Sequence, residues 1–418
     1  MKRMILVGCI CVLLILTSSC KKTPSRESQG EAGMPEGSMP MFSMAGNLYT
    51  EKYALYHADD GLLRIFDPIT KTDIVYCFDP GCEHPQEARN LKGEVIREGC
   101  IAYKISLDSV LLRGDEIFFL QSDGQVIQAD RQAKNRKVIT TIPLYKLTTR
   151  QVFYADDDMF ILHANSLEVA EITDEETGET QWIYTGERKE TQDCGITRIN
   201  LSAGTVKEVF SEERYNAQIA KQDVRDGHLY FEFYYLDIPY VGPNLETYGP
   251  SGTIPEGLTT ENYWEEMAKH RWMDIYDYDI GTGELHTVLT HQREGNVIFC
   301  KDFFAVAESE GTTGLYRYDG KRFRQLSFRI GNGIRSDSGL ICCDEKIPDE
   351  YMLIDGDTGE IIKRVKIPND RFFAYAFLGE CCYGIMDMDE SGRMKLGYIP
   401  AEDYWKGDFS NAVAFQVQ

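Results

Sequence analysis

The segment Tyr76-Cys77-Phe78-Asp79-Pro80-Gly81-Cys82-Glu83-His84-Pro85, followed by Cys100, is the densest group of reactive side chains in this 418-residue sequence. Cys-x4-Cys with a His two residues on sets three soft or borderline donors around one tight turn at Pro80-Gly81. Cys100 could complete a tetrahedral zinc site of three thiolates and one imidazole. The same thiols support a second chemistry, because outside the cytoplasm they oxidise, and a disulfide closing a loop, with His84 merely nearby, is the alternative. The disulfide is the favoured expectation, since zinc knuckles rarely place Cys and His one residue apart. No cofactor is then expected, with zinc at the Cys/His insert as the alternative. On either reading the segment is a local staple.

A second concentration is aromatic. Tyr234, Tyr235, Tyr240, Tyr248, Tyr263, Trp264 and Trp272 crowd into an insertion punctuated by Pro239, Pro243, Pro250 and Pro255. Tyr and Trp supply rigid contact area with a hydrogen-bonding tip, so these residues are candidate ligand-binding side chains; covering the rim of a hydrophobic sheet is their equal alternative. Thr260, a suitable N-cap, precedes Glu261 to Arg271, the one good helix candidate. Cys342-Cys343 and Cys381-Cys382 read as buried small apolar residues, one of each pair toward either face of a strand. Catalytic signatures are scarce. The seven His are scattered, and no nucleophile elbow, metalloprotease helix or phosphate-cradling loop occurs.

These residues must be positioned by strands. Ile275 to Leu289 alternates apolar and polar residues on both sides of Asp279-Ile280-Gly281-Thr282-Gly283, a hairpin pattern. The design returns at Leu63 to Val75, Val126 to Ile139, Arg198 to Phe210, Leu315 to Phe328 and Tyr351 to Ile367, with a degenerate seventh copy from Met394 to Phe415. Asp279, Asp319 and Asp355 follow one another at 40 and 36 residues, the size of one four-stranded propeller blade. Longer steps earlier in the chain contain segments that break the pattern: Cys77 to Ala102, Asn165 to Cys194 and Asp237 to Trp272. The expected fold is therefore all-β: a single β-propeller over 47–418, with seven blades of four-stranded antiparallel sheets, short inserts and one short helix. A pair of β-sandwiches or a β-solenoid is the alternative. Leu48 to Tyr56 would pair near the last blade and close the ring.

At the N-terminus, Lys2 and Arg3 precede the apolar run Met4 to Leu16 and the small residues Thr17-Ser18-Ser19, which is the order of an export signal. Leu16-Thr17-Ser18-Ser19-Cys20 resembles the lipobox of bacterial lipoproteins, although its large aliphatic residue stands four places before the Cys instead of three. The resemblance implies a signal peptide over 1–19, removed ahead of an acylated Cys20. Residues 20–46, rich in Ser, Gly, Pro, Glu and Met, then form a flexible tether with a reach of roughly 25 to 30 Å. The repeated hairpins resemble those of exported bacterial lipoproteins with TolB-like or quinoprotein-like propellers, and the Cys-x4-Cys-x-His insert is similar to one associated with such proteins.

The resemblance places the chain in the bacterial cell envelope, outside the cytoplasm and lipid-anchored. A formal net charge of −23 disfavours nucleic acid and adsorption to anionic lipid head groups, leaving the lipid as the membrane contact. The expected function is a ligand- or protein-binding scaffold whose partner, an extracytoplasmic protein or carbohydrate, approaches the face bearing the inserts. The alternative is an extracytoplasmic enzyme acting on carbohydrate or peptide, with acids gathered at the mouth of the channel.

Overall fold

The structure is a computed structural model that describes residues 42–44, 47–49 and 53–415, apart from 59, 78, 80, 87, 91–94, 98, 104–108, 114, 122–123, 131–133, 144–148, 174–179, 240–264, 266, 294, 309–310, 337–338, 368–371 and 389–393. The expected signal peptide, Cys20 and most of the tether lie outside these residues. All of the described residues belong to one compact unit, Glu36–Gln418. None of its described helices is long and apolar enough to cross a membrane.

The fold is all-β. β1 (Phe42–Met44), β2 (Asn47–Tyr49), β3 (Ala54–His57), β4 (Leu63–Asp67) and β5 (Thr72–Val75) form the first sheet, so that regular structure begins inside the stretch expected to be tether. The Cys/His insert carries a ribbon of β6 (Ala88–Arg89) and β7 (Val95–Arg97), then a 3-10 turn at Ile101–Tyr103. The second sheet holds β8 (Leu111–Arg113), β9 (Glu116–Leu120), β10 (Gln125–Asp130) and β11 (Lys137–Thr141). The third sheet has seven strands: β12 (Thr149–Ala155), β13 (Asp158–Thr173), β14 (Thr180–Asn200), β15 (Val206–Arg225), β16 (His228–Leu236), β17 (Arg271–Asp279) and β18 (Leu285–Arg293). Three four-stranded sheets follow. They are β19 (Val297–Phe299) to β22 (Arg322–Leu326) through β20 (Phe304–Ala307) and β21 (Thr313–Tyr316); β23 (Ile330–Ser336) to β26 (Ile361–Lys366) through β24 (Gly339–Asp344) and β25 (Ile347–Asp355); and β27 (Phe373–Leu378) to β30 (Val413–Ala414) through β28 (Cys381–Met388) and β29 (Met394–Pro400). Every sheet is an antiparallel meander whose strands lie in chain order, a β-propeller-like repeat.

The turns explain the hairpins. At Asp67, Asp279 and Asp355 the side-chain Oδ1 accepts the backbone N–H groups two and three residues on, at 2.8 to 3.2 Å, and Asn200 does the same for Ala203. The residue four places on sits in the left-handed region, where glycine has no Cβ to clash: Gly204, Gly283 and Gly359, with φ of 68 to 76°. The first hairpin has Lys71 at that position, with φ 56°.

Consecutive sheets pack face to face, and the period of two decides which residues meet. Phe231 faces the cluster of Phe160, Ile196 and Phe210, whereas its neighbour Tyr230 faces Val297, Phe304 and Val306. Cys342 packs with Ile298 and Leu315 on one side of its sheet, and Cys343 with Cys382, Phe377 and Tyr404 on the other. The leading strands of successive sheets lie side by side, β19 next to β23 and β23 next to β27. A Cβ on Gly333 would stand 1.8 Å from Ile298 Cδ1, so a larger residue there requires the Ile298 side chain to move.

Three expectations need correction, and one strand takes a path the sequence did not mark. Asn165 to Cys194 is not a break, because β13 and β14 run on through it as long paired strands. β15 pairs with β14 through Val206 to Tyr215 and with β16 through Tyr215 to Arg225, passing from one meander to the next without a turn through a bulge where Asn216 has φ 45°. In the expected helix only Glu265, Met267 and Ala268 are helical among the described residues, and Arg271 already opens β17. A helix stands instead at α1 (Ala401–Lys406), with acids in its first turn, Lys406 in its last and Gly407 as a left-handed C-cap. Finally, among the described residues the first sheet meets the last by packing and not by strand pairing. Ala54, Tyr56 and Phe66 bury against Tyr383, Tyr398 and Phe415, and Tyr56 Oη donates to the Phe415 carbonyl.

Candidate metal centre and binding cleft

The chain leaves β5 at Val75, whose carbonyl accepts the Cys77 N–H at 2.7 Å. Asp79 then reverses it: its Oδ1 accepts from Gly81 N at 3.0 Å, and its carbonyl from Cys82 N at 3.0 Å, returning Cys82 toward Cys77. His84 takes a left-handed φ of 53°, and Pro85 O accepts the Cys100 N–H at 2.8 Å after the β6–β7 ribbon. Residues far apart in sequence are thus locked together by backbone hydrogen bonds. One donor atom from each of Cys77, Cys82, His84 and Cys100 lies within 4.8 Å of all the others. Cys100 Sγ is 3.4 Å from His84 Nδ1. No described cysteine is joined in a disulfide.

Burial pushes the Cys77 thiol up, and it pushes Cys100 up to about 12. Backbone amides oppose this. The His84 N–H donates to Cys82 Sγ at 3.3 Å, and the backbone of Asp79 and of Ala102 acts to lower Cys77 and Cys100.

The aromatic candidates separate. Tyr240, Tyr248, Tyr263 and Trp264 lie outside the described residues. Tyr234 and Tyr235 are adjacent on β16 and so point to opposite sheet faces: Tyr234 packs toward β19 and β20 and donates to Gln218 Oε1 at 2.6 Å, and Tyr235 packs toward Phe233 and Phe231. Trp272, the cross-strand partner of Tyr235, donates its Nε1–H to Asp237 at 2.8 Å. Its ring is covered by His291, stacked at 3.6 Å, and by the Arg293 guanidinium at 3.9 Å. Asp237 also bonds His270 at 2.7 Å. Burial opposes ionisation there, but the Trp272 and His270 hydrogen bonds outweigh it and hold the Asp237 carboxyl below its ordinary value. These rings brace the base of the insertion.

Beside that base is a feature the sequence did not signal. A cleft of about 390 Å³ is lined by Ala268, Arg271, Gly295, Asn296 and Arg329, and a second of about 300 Å³ shares Asn296 and Arg329 and extends to Asn332 and Glu345. Its residues come from the end of the insertion and from the turns that enter β19 and β23. Asn296 Nδ2 donates to Gly331 O at 3.3 Å, tying two of these turns together. Arg329 Nε lies 3.7 Å from Glu345 Oε2, but both side chains are well exposed, so the pair is weak. Two guanidinium groups therefore gather at one concavity of a strongly acidic chain. The three contributing turns are far apart in sequence and share no motif, which is why only the fold brings them together.

No family model matches the chain, and no curated protein matches it. Solved structures similar to it include dipeptidyl peptidase 4 of Porphyromonas gingivalis, at TM-score 0.48 and 9% identity over 88% of this chain and 59% of that one. This chain therefore spans less than two thirds of that protein. They also include an oligogalacturonate lyase in complex with manganese, at TM-score 0.43 and 9% identity over 86% of this chain and 87% of that one. BamB of Moraxella catarrhalis is similar at TM-score 0.36 and 11% identity over 83% of this chain and 91% of that one.

Proposed function

We propose that this chain is an exported lipoprotein, anchored through Cys20 and held off the membrane by its tether, whose body is a closed seven-bladed propeller that binds an acidic protein partner. Seven blades follow if the seven-stranded sheet is two meanders sharing β15, which adds two units to the five smaller sheets. The apolar contact of the first and last sheets through Phe415 supports closure. The observation that carries the binding reading is the cleft of Arg271, Asn296 and Arg329, set where turns entering successive sheets converge. Arginine matches carboxylates in a planar fork, and in a chain of net charge −23 an anion is held only where such groups outweigh the surrounding field.

The test is fluorescence anisotropy with a labelled hexaglutamate peptide, on wild type and on an Arg271→Ala, Arg329→Ala double variant. The expected result is saturable, salt-sensitive binding by the wild type, weakened about tenfold or more in the variant. Equal affinities, or no binding by either, would remove this cleft as the site. Cleavage of the peptide by the wild type would replace binding with the enzymatic alternative.

A further inference from the structure

The Cys/His group is independent of the cleft, and its geometry decides between the two chemistries its sequence allows. We infer that Cys77, Cys82, His84 and Cys100 bind one zinc ion through all four side chains, and that this ion fastens the insert to the end of the first sheet. Three observations carry it.

The first is distance. Tetrahedral zinc with sulfur at about 2.3 Å and nitrogen at about 2.0 Å requires its ligands to lie about 3.5 to 3.8 Å from one another. The four donor atoms already fall within 4.8 Å, and the Cys100 to His84 separation is 3.4 Å. The second is a backbone amide. The His84 N–H donates to Cys82 Sγ at 3.3 Å. An amide is a strong donor and a neutral thiol a poor acceptor; a metal-bound thiolate is the sulfur species that uses such a bond, and outer-shell donors of this kind spread its charge. The third is count. A disulfide uses two of the three thiols and leaves one beside His84 with no function, whereas a tetrahedral ion uses every donor.

Binding deprotonates the thiols. Zn²⁺ replaces the three S–H protons, which leave to solvent; no electron is transferred, and neutral His84 gives a centre of net charge −1. Four protein ligands fill the tetrahedron, so no position remains for a substrate or an activated water, and the ion is structural. The Cys-x-His step that argued against zinc in the sequence is accommodated by the left-handed backbone of His84, which turns its ring back toward the sulfurs.

The experiment uses the full chain purified without chelator or reductant, with metal measured by mass spectrometry and thiols by alkylation. About one zinc per chain with Cys77, Cys82 and Cys100 all reduced is expected. Replacing zinc by Co²⁺ should give the intense visible bands of a tetrahedral thiolate centre together with thiolate-to-cobalt charge transfer. Cys100→Ser and His84→Ala should lose the ion or the spectrum. To separate metal loss from misfolding of these variants, the wild type is also treated with a chelator, which should speed trypsin cleavage at the exposed Arg97, with zinc restoring protection. A disulfide between any two of the three cysteines in metal-free chain, or a cobalt spectrum unchanged in both variants, would overturn the assignment.

Discussion

Replacing Phe415 by Ala tests how the ends of the body are joined. The Phe415 ring is 1% exposed, stacks on Phe66 at 4.5 Å and meets Tyr56 edge-on at 5.1 Å, so it is one of the side chains through which the last sheet grips the first. Its backbone carbonyl, which accepts from Tyr56 Oη, is kept by the substitution, which therefore isolates ring packing. Deleting a buried Phe ring costs about 3–5 kcal/mol through lost transfer energy and the cavity left behind. With an m value of about 3 kcal/mol/M or more for a body of this size, the urea midpoint should fall by about 1 M. Circular dichroism gives the midpoint, and hydrogen exchange resolved by peptide at intermediate urea gives its distribution. In a closed ring each sheet depends on both neighbours, so peptides from the third sheet should lose protection together with those of the last. A loss below about 1 kcal/mol, or early melting of β27 to β30 alone, would refute closure through this contact.

Further outcomes follow from single residues. Lys71 holds the left-handed turn position that glycine fills in three sister hairpins, so Lys71→Gly should stabilise by about 0.5–1 kcal/mol, read as a higher urea midpoint. Gly333→Val should destabilise by about 1–3 kcal/mol, because its side chain would occupy the place of Ile298 Cδ1; an unchanged melting temperature would contradict the close strand approach. The backbone N–H of Thr282 holds the Asp279 carboxyl below its ordinary value, and that of Thr358 does so for Asp355. A folded pKa depressed in this way gives stability that is complete above the unfolded value of about 3.9 and is lost as pH falls through the folded one. An Asp279→Ala, Asp355→Ala variant should therefore show a flatter fall in stability below pH 4, and superimposable acid limbs would exclude the effect.

The hairpins were legible because their turns are written locally: an Asp or Asn that bonds its own backbone, then a residue able to go left-handed. The assignment of Cys342 and Cys343 to opposite faces was legible for the same reason, since a period of two needs no tertiary information. β15 was not, because a strand that leaves one meander and enters the next has no turn residue to mark the change, only a bulge at Asn216. α1 carried a signal, acids at Glu402 and Asp403 and a glycine at Gly407, that was hidden inside an expected hairpin. For the insert, the sequence named the four donors but could not choose between disulfide and metal, because that choice depends on how closely the fold brings the four donor atoms together. Arg271 and Arg329 gave no signal at all, being separated by a whole sheet in the chain.

The binding claim is tested most directly by a photoreactive amino acid at position 296, inside the cleft, with the same group at exposed Val138 on β11 as control. In intact cells the probe at 296 should capture a discrete partner, free hexaglutamate should compete it away, and adding Arg329→Ala should abolish capture. Equal capture from 138, or capture at 296 indifferent to both the peptide and Arg329, would contradict it.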